Sequence, residues 1–224
     1  MPAGLYGHRN REFEVFTLSA RVRTKKQMKQ VLLCRECEER FSENGESHVL
    51  GLIGSKRKQF SLNERMRLGF ARDSDSFSKR FFAPDFGIDV DKFSYFAISV
   101  VWRAAVIQWL MEDGTYTQKV SLGDFQEDMR RYLIGETTLP SDMAVIVIVC
   151  SDATSRQGFT YPTGFVEANC INFRFLARGI VFRLLIGYGM TGFLKQAACT
   201  STIKPIWYGN CESRTREMFR NLIV

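Results

Sequence analysis

The sequence predicts an α+β protein: a small N-terminal module, two central helices and a mostly antiparallel C-terminal sheet. Two observations lead to this class. Apolar residues recur with helical spacing between Asp91 and Asp113, and the chain beyond them turns to Val/Ile-rich runs typical of strands. A chain of 224 residues, 45% hydrophobic and 25% charged, can bury a core of its own. We expect a module at 1–60, a connector at 61–90 and an α+β domain at 91–224.

The N-terminal module is polar and basic and contains short elements. Residues 12–22 alternate loosely between apolar and polar, which indicates a pair of strands. Residues 34–53 place apolar side chains behind a charged face, which predicts a helix weakened by Gly45. Residues 54–90, with a basic cluster, several serines and Pro84, indicate a long irregular connector between two lobes.

The two central helices are the strongest elements of the pattern. Asp91 to Asp113 is apolar on nearly every turn, which predicts a buried helix with Asp91 as its N-cap. Ser121 to Ile134 predicts a second helix capped by Ser121, and the two together form a helical hairpin. Arg103 lies within the apolar helix and needs a partner, which Asp124 or Glu127 of the second helix could provide.

The C-terminal part is rich in strands. Met143–Val149 is a continuous Val/Ile run suited to a buried strand. Cys170–Leu176 and Ile180–Ile186 flank a turn and predict a hairpin. Lys204–Tyr208 indicates another strand, and Cys211–Leu222 a short terminal helix.

The charge is uneven along the chain. The net charge is +7 and the pI about 9.2. Residues 1–60 and 161–224 each carry a net +5, whereas residues 91–160 carry −3. Such a field allows binding to a polyanion, although solvated surface charge is the more common meaning of a basic run. No apolar run reaches the roughly 18 residues of a membrane span, and the first residues lack the apolar core of a signal peptide. We therefore expect a cytoplasmic protein without a membrane partner.

The cysteines divide into one informative pair and four others. In a cytoplasmic chain we expect them to be reduced, so that they are core residues, metal ligands or reactive thiols. Cys150 and Cys170 adjoin strand-like runs, which predicts buried small residues. The residues around Cys199 and Cys211 predict no particular role for these two cysteines.

Cys34 and Cys37 form a C-x-x-C motif that carries the clearest chemical signal. Two thiolates at this spacing can bind one tetrahedral zinc ion, and the charged residues after Cys37 begin a helix. This arrangement resembles the C-terminal half of a treble-clef zinc module as found in HNH endonuclease-like proteins, in which an apolar pair such as Leu32-Leu33 precedes the motif. Ser99-Val100-Val101-Trp102-Arg103 is similar to an "S-x-x-W-R" helix of an uncharacterised bacterial branch of that family. In that branch a second helix follows, and Leu122–Gly135 is similar to it. The resemblance therefore extends from about residue 30 to 135.

The resemblance implies a zinc protein that acts on DNA, either a nuclease or an inactive relative. In the family, a histidine activates water while a divalent ion such as Mg²⁺ or Mn²⁺ stabilises the leaving phosphate. No residue of this chain matches that histidine; His8 is a candidate general base or ligand, and His48 a candidate zinc ligand. The family's earlier C-x-x-C is absent, and Met1–Tyr6 is similar to the segment after the family's histidine, so we expect residues to be missing upstream.

Basic segments on either side of the motif are the expected phosphate contacts. Two alternatives remain open. The chain could be a non-catalytic nucleic-acid or protein binding module, whose zinc half-site either has no role or is completed by a protein partner or a second copy. Alternatively, Cys34 and Cys37 could be a redox pair. The expected nucleic-acid-binding residues are Arg21, Arg23, Lys25, Lys26, Lys29, Lys56, Arg57 and Lys58.

Overall fold

The computed structural model describes residues 13–16, 21–24, 32–53, 60–74, 78–108, 119–167 and 170–211. These residues form an α+β fold with one mixed sheet. The strands are β1 (Phe13–Phe16), β2 (Arg21–Thr24), β3 (Asp73–Ser74), β4 (Ser78–Phe82), β5 (Met143–Cys150), β6 (Gly158–Thr160), β7 (Thr163–Glu167), β8 (Cys170–Ala177), β9 (Ile180–Ile186) and β10 (Pro205–Gly209). The α-helices are α1 (Arg35–Phe41), α2 (Ser47–Ile53), α3 (Ser61–Leu68), α4 (Val90–Val106), α5 (Phe125–Leu133), α6 (Ala153–Gln157) and α7 (Gly192–Ala197).

The sheet runs in the order β2-β1-β6-β8-β9-β5-β10-β4-β3, with β7 paired to β8. Its pairings are antiparallel except for β1 with β6 and β5 with β10, so the predicted mostly antiparallel sheet is present as a mixed sheet. The predicted strands of the C-terminal part correspond to β5, β8, β9 and β10. The hairpin between β8 and β9 turns at Arg178 and Gly179, both with positive φ, as a tight two-residue turn requires. The predicted terminal helix lies outside the described residues.

Helix α4 lies across one face of the sheet and fills the main core. Its phenylalanines meet those of the sheet: the ring of Phe96 lies 5.3 Å from that of Phe182 and 6.2 Å from that of Phe175, centroid to centroid. The helix begins at Val90, one residue before the predicted cap, because Asp89 Oδ1 accepts hydrogen bonds from the amides of Asp91 and Lys92, each 3.1 Å long. It ends at Val106, and residues 109–118 are outside the described ranges.

The second helix of the predicted hairpin is α5. The hydroxyl of Tyr95 near the start of α4 donates to the carbonyl of Leu133 at the end of α5 (2.6 Å), while Val120 N–H bonds to Ala104 O, so the two helices run antiparallel. Helix α5 begins at Phe125 rather than at the predicted Ser121 because Gly123, with φ of +54°, lies outside helical geometry.

The prediction of an irregular connector at 54–90 is wrong for the described part of that range. Helix α3 and strands β3 and β4 lie there, and β4 pairs with β10 inside the sheet. Leu62, Met66 and Phe81 are fully buried in the main core. The sequence pattern failed to reveal these elements because each is short and mostly polar, with SLNERMRL in α3 and SKRFF in β4.

The opposite face of the sheet has a second, smaller core. Ile146, Val181 and Leu185 project from neighbouring strands, and Leu194 of α7 packs on them together with Trp207. Both faces of the central strands are therefore covered, which explains why β5 is apolar throughout. Among the helices of the described ranges, none combines the length and the apolar character that a membrane span requires.

Candidate functional site

The C-x-x-C motif lies at the start of a helix that continues through α1, a π-helical turn at Ser42–Glu46 and α2. Cys34 occupies the N-cap position, with φ −69° and ψ 165°, and its carbonyl accepts the first helical hydrogen bond from Glu38 N–H at 3.0 Å. Cys34 is exposed, whereas Cys37 is half-buried in the first turn. The free backbone N–H groups of a helix start favour negative charge, so this position suits a thiolate.

The two thiols of the motif differ in their electrostatics. The backbone N–H and the thiol of Cys37 donate hydrogen bonds to the Cys34 sulfur and lower its pKa below the usual thiol value. The same thiol–thiol contact, together with burial, raises the pKa of Cys37. Cys34 is therefore the thiol that ionises first, and it faces solvent, where it can bind a metal or attack an electrophile.

A buried ion pair holds this helix against the core. The guanidinium of Arg103, in α4, bonds to the carboxylate of Glu46 and lies 3.5 Å from that of Glu38, one residue after the motif. It also stacks over the ring of Phe41, 4.8 Å from its centroid. The predicted partners of Arg103, Asp124 and Glu127, are wrong, because the π-helical turn directs Glu46 inward instead.

Gly45 makes this contact possible. A Cβ atom at Gly45 would lie 2.9 Å from the backbone nitrogen of Phe96, a distance that side chains do not tolerate. Gly45 therefore allows close approach of the two helices. The sequence indicated it only as a weak point of the helix, because close backbone packing leaves no local signal.

His48 is a poor candidate for a ligand shared with the motif. It follows Cys37 by 11 residues along one continuous helix, which at 1.5 Å per residue places it roughly 16 Å away. Its Nε2 accepts a hydrogen bond from Asp89 N–H (3.1 Å), and burial lowers its pKa. The structure thus gives His48 a place beside the N-cap of α4 instead of at the cysteines.

The remaining predicted site residues lie mostly beyond the described ranges. Arg21 and Arg23 belong to β2, which pairs with β1 at the edge of the sheet. No third metal-ligating side chain lies with Cys34 and Cys37 among the described residues. The residues outside the described ranges are His8, Lys25, Lys26, Lys29, Lys56, Arg57 and Lys58.

A second cysteine pair, which the sequence did not predict, lies where strands β5 and β10 end. Cys150 and Cys211 are disulfide-bonded, with Cα atoms 5.3 Å apart, and both are buried. The expectation that all the cysteines are reduced is therefore wrong for this pair. Cys150 ends β5 and Cys211 follows β10, and the parallel pairing of these strands brings their ends together. Cys170 and Cys199 take no part in a disulfide, and both are buried, as predicted for Cys170.

Asp152 completes a compact cluster with this pair. One of its oxygens and the two sulfurs all lie within 4.8 Å of one another. Asp152 Oδ1 accepts from Ser155 N–H at 2.8 Å and caps α6, while its Oδ2 accepts from Cys211 N–H at 3.0 Å. Two sulfurs and a carboxylate are a donor set that a metal could use, but here the sulfurs are bonded to each other.

Buried polar groups fix the backbone around the cluster. The amide of Asn63, in α3, donates to the carbonyl of Cys150 (2.6 Å), and its oxygen accepts from Arg156 (3.1 Å). Arg156 also bonds to the carbonyl of Ser151 at 2.9 Å. Asn63 is 1% exposed, so its hydrogen bond to Cys150 is buried and joins α3 to the end of β5.

Fold and sites together define an α+β protein with a mixed sheet and two different cysteine pairs. Cys34 and Cys37 are thiols, of which Cys34 is exposed, whereas Cys150 and Cys211 form a buried disulfide. No protein-family model matches the chain, and no curated protein or solved structure is significantly similar to it.

Proposed function

We propose that the region around Cys34 and Cys37 is the C-terminal half of an HNH-like, treble-clef zinc module and that the protein binds nucleic acid through it. One observation carries the proposal: both thiols lie in the first turn of a long helix that follows the antiparallel pair of β1 and β2. A hairpin followed by a helix with two thiols at its start is the order of elements in a treble clef. Zinc binds the thiolate form, and the lowered pKa of Cys34 favours that form.

The two cysteines fit zinc as two of its four ligands. The other two would come from outside the described residues, and His8 is the candidate that this chain offers. Zinc in such a site supplies folding energy rather than catalysis. Arg103 of α4 bonds to Glu46 and so holds the helix that carries both thiols.

Metal analysis of the purified protein tests the zinc site. We expect about one zinc per chain in the wild type and a loss of that zinc in the Cys34→Ser/Cys37→Ser variant. Cys170→Ala is the matched control, because it removes a thiol that is buried in the sheet, and it should retain the metal. A wild-type protein that binds no zinc after refolding with the ion would contradict the proposal.

Binding to a labelled DNA duplex at several salt concentrations tests the nucleic-acid interface. Changing Lys25, Lys26 and Lys29 to Gln should weaken binding and reduce the salt slope by up to about 0.9 for each phosphate that the variant no longer neutralises. The matched control changes three exposed lysines elsewhere, Lys79, Lys195 and Lys204, to Gln. Equal losses of affinity in both variants would indicate a general charge effect and contradict a defined interface.

Cleavage is a separate question, because no described residue occupies the role of the family's catalytic histidine. A plasmid-nicking assay with Mg²⁺ or Mn²⁺ decides between a nuclease and a binding module. If nicking occurs, His8→Ala separates the two roles considered for His8: loss of a base abolishes nicking with zinc content and DNA binding retained, whereas loss of a zinc ligand removes the metal as well. Nicking by the His8→Ala variant at the wild-type rate would exclude His8 as the base.

A thiol–disulfide centre is the second candidate function. The observation in its favour is the division of roles between an exposed Cys34 of lowered pKa and a half-buried Cys37 of raised pKa, as in a nucleophilic and a resolving cysteine. A reversible Cys34–Cys37 disulfide in glutathione buffers, together with zinc-free protein, would favour this function over the first.

A further inference from the structure

The disulfide at the carboxyl ends of β5 and β10 is placed to fasten a weak part of the sheet. Strand β10 pairs with β5 over only three residues, from Trp207↔Ile148 to Gly209↔Cys150. The edge strands β4 and β3 join the sheet through β10. A covalent bond just beyond this short pairing therefore stops β10 from separating, and with it the two strands at that edge.

Access to the disulfide is restricted in two ways. Cys150 and Cys211 are 0% and 1% exposed, so a reductant reaches them only after the segment that carries Cys211 moves away. Asp152 adds electrostatic protection, because its carboxylate lies within 4.8 Å of both sulfurs. This negative charge repels an incoming thiolate and disfavours the thiolate that leaves. Arg156, which donates to the carbonyl of Ser151, is a cation close to this segment, and among the described residues no ion pair joins it to Asp152.

We propose that Cys150–Cys211 is a slow redox clamp: closed, it fastens β10 to β5, and reduction by a dithiol opens it and loosens the sheet edge. In the reduction, a thiolate of the dithiol attacks one sulfur and the S–S bond breaks. The second thiol of the reductant then attacks the reductant sulfur of the mixed disulfide, and the protein sulfur leaves as a thiolate. The protein gains two electrons and two protons as two thiols, and the reductant becomes a cyclic disulfide.

The clamp and the C-x-x-C motif are opposites in kinetics. Cys34 is exposed and its thiolate is favoured by hydrogen bonds from Cys37, so that pair exchanges readily. The clamp is buried beside a carboxylate, so it exchanges slowly. This inference is independent of the zinc module and of its binding to nucleic acid.

The first experiment uses the full chain with Cys34→Ser and Cys37→Ser, so that only the clamp can change its redox state. Counting thiols in denaturant should give two before reduction, from Cys170 and Cys199, and four after it. Hydrogen exchange of the amides of residues 208–211 should accelerate at least about tenfold on reduction. Four thiols in the protein after equilibration with oxidised glutathione, or unchanged exchange, would overturn the clamp. One tightly bound zinc per reduced chain would also overturn it in favour of a metal site.

The second experiment measures how fast the clamp is reduced in that chain and in the same chain with Asp152→Asn. With dithiothreitol, whose thiolate is anionic, we expect the variant to react about tenfold faster or more, because the repelling charge is gone. With a neutral phosphine the two rates should agree within about twofold, since this reductant brings no negative charge. An equal acceleration with both reductants would show that Asp152 acts only by holding the backbone, and would overturn its electrostatic role.

Discussion

Removing the buried charge of Arg103 should destabilise the protein strongly, and removing its partner as well should restore most of the stability. The side chains of Arg103 and Glu46 are 4% and 10% exposed. In Arg103→Met the carboxylate of Glu46 would remain buried without its partner, which typically costs about 3–5 kcal/mol of unfolding free energy. The variant would also lack the stacking of the guanidinium on the ring of Phe41, which adds about 1 kcal/mol to the cost.

The double variant Arg103→Met/Glu46→Met replaces the pair by two apolar side chains of similar length. Buried ion pairs replaced in this way are often neutral in stability, because the desolvation of both charges is avoided. We therefore expect the double variant to lie closer to the wild type than Arg103→Met, with an interaction energy of at least about 2 kcal/mol. Glu38→Gln is the matched control: the Glu38 side chain is 52% exposed, so this substitution should cost less than about 1 kcal/mol.

Urea unfolding followed by circular dichroism measures four variants: Arg103→Met, Glu46→Met, the double variant and Glu38→Gln. A common m-value would show that the denatured states are comparable, so that midpoints can be converted to free energies. The reasoning is refuted if the two single substitutions are additive, or if Glu38→Gln costs as much as Glu46→Met. Either outcome would mean that the contact between the π-helical turn and α4 depends on shape alone.

Three further predictions concern stability and reactivity. Burial lowers the pKa of His48 below 6.5 in the folded state, so the unfolded chain binds more protons than the folded chain as the pH falls from about 7. The free energy of unfolding should therefore fall between pH 7 and the folded-state pKa of His48, and it should fall by less in His48→Gln. Urea unfolding at several pH values measures this difference. Iodoacetamide labelling followed by peptide mapping should modify Cys34 first, because hydrogen bonds lower the pKa of its thiol below 9.0. Cys199 should be modified only after unfolding, because it is buried and burial raises its pKa to about 12. Early labelling of Cys199 would contradict its burial. Replacing both Cys150 and Cys211 by Ala should cost roughly 4 kcal/mol, from the 61 residues that the disulfide spans, and an unchanged thermal midpoint relative to the oxidised wild type would argue against a closed pair.

Periodicity predicted the elements that are long or that alternate over many residues. The apolar pattern after Asp91 identified α4, and the runs at Met143 and Ile180 identified β5 and β9. These elements are almost completely buried, so nearly all of their positions require apolar residues, and the pattern is visible in the sequence. The C-x-x-C motif was equally visible, because two cysteines at this spacing share one turn whatever the rest of the chain does.

The contacts between distant parts of the chain could not be predicted from the sequence. Glu46 reaches Arg103 only because a π-helical turn and Gly45 bring the helices together, and neither feature has a local signature. Likewise Cys150 meets Cys211 only because β5 and β10 pair in parallel across 61 residues. Composition and spacing determined the class of fold and the C-x-x-C thiol pair, since both depend on neighbouring residues. The tertiary structure decided the second pair and the anchoring of the first, since strand order and helix packing depend on the whole chain.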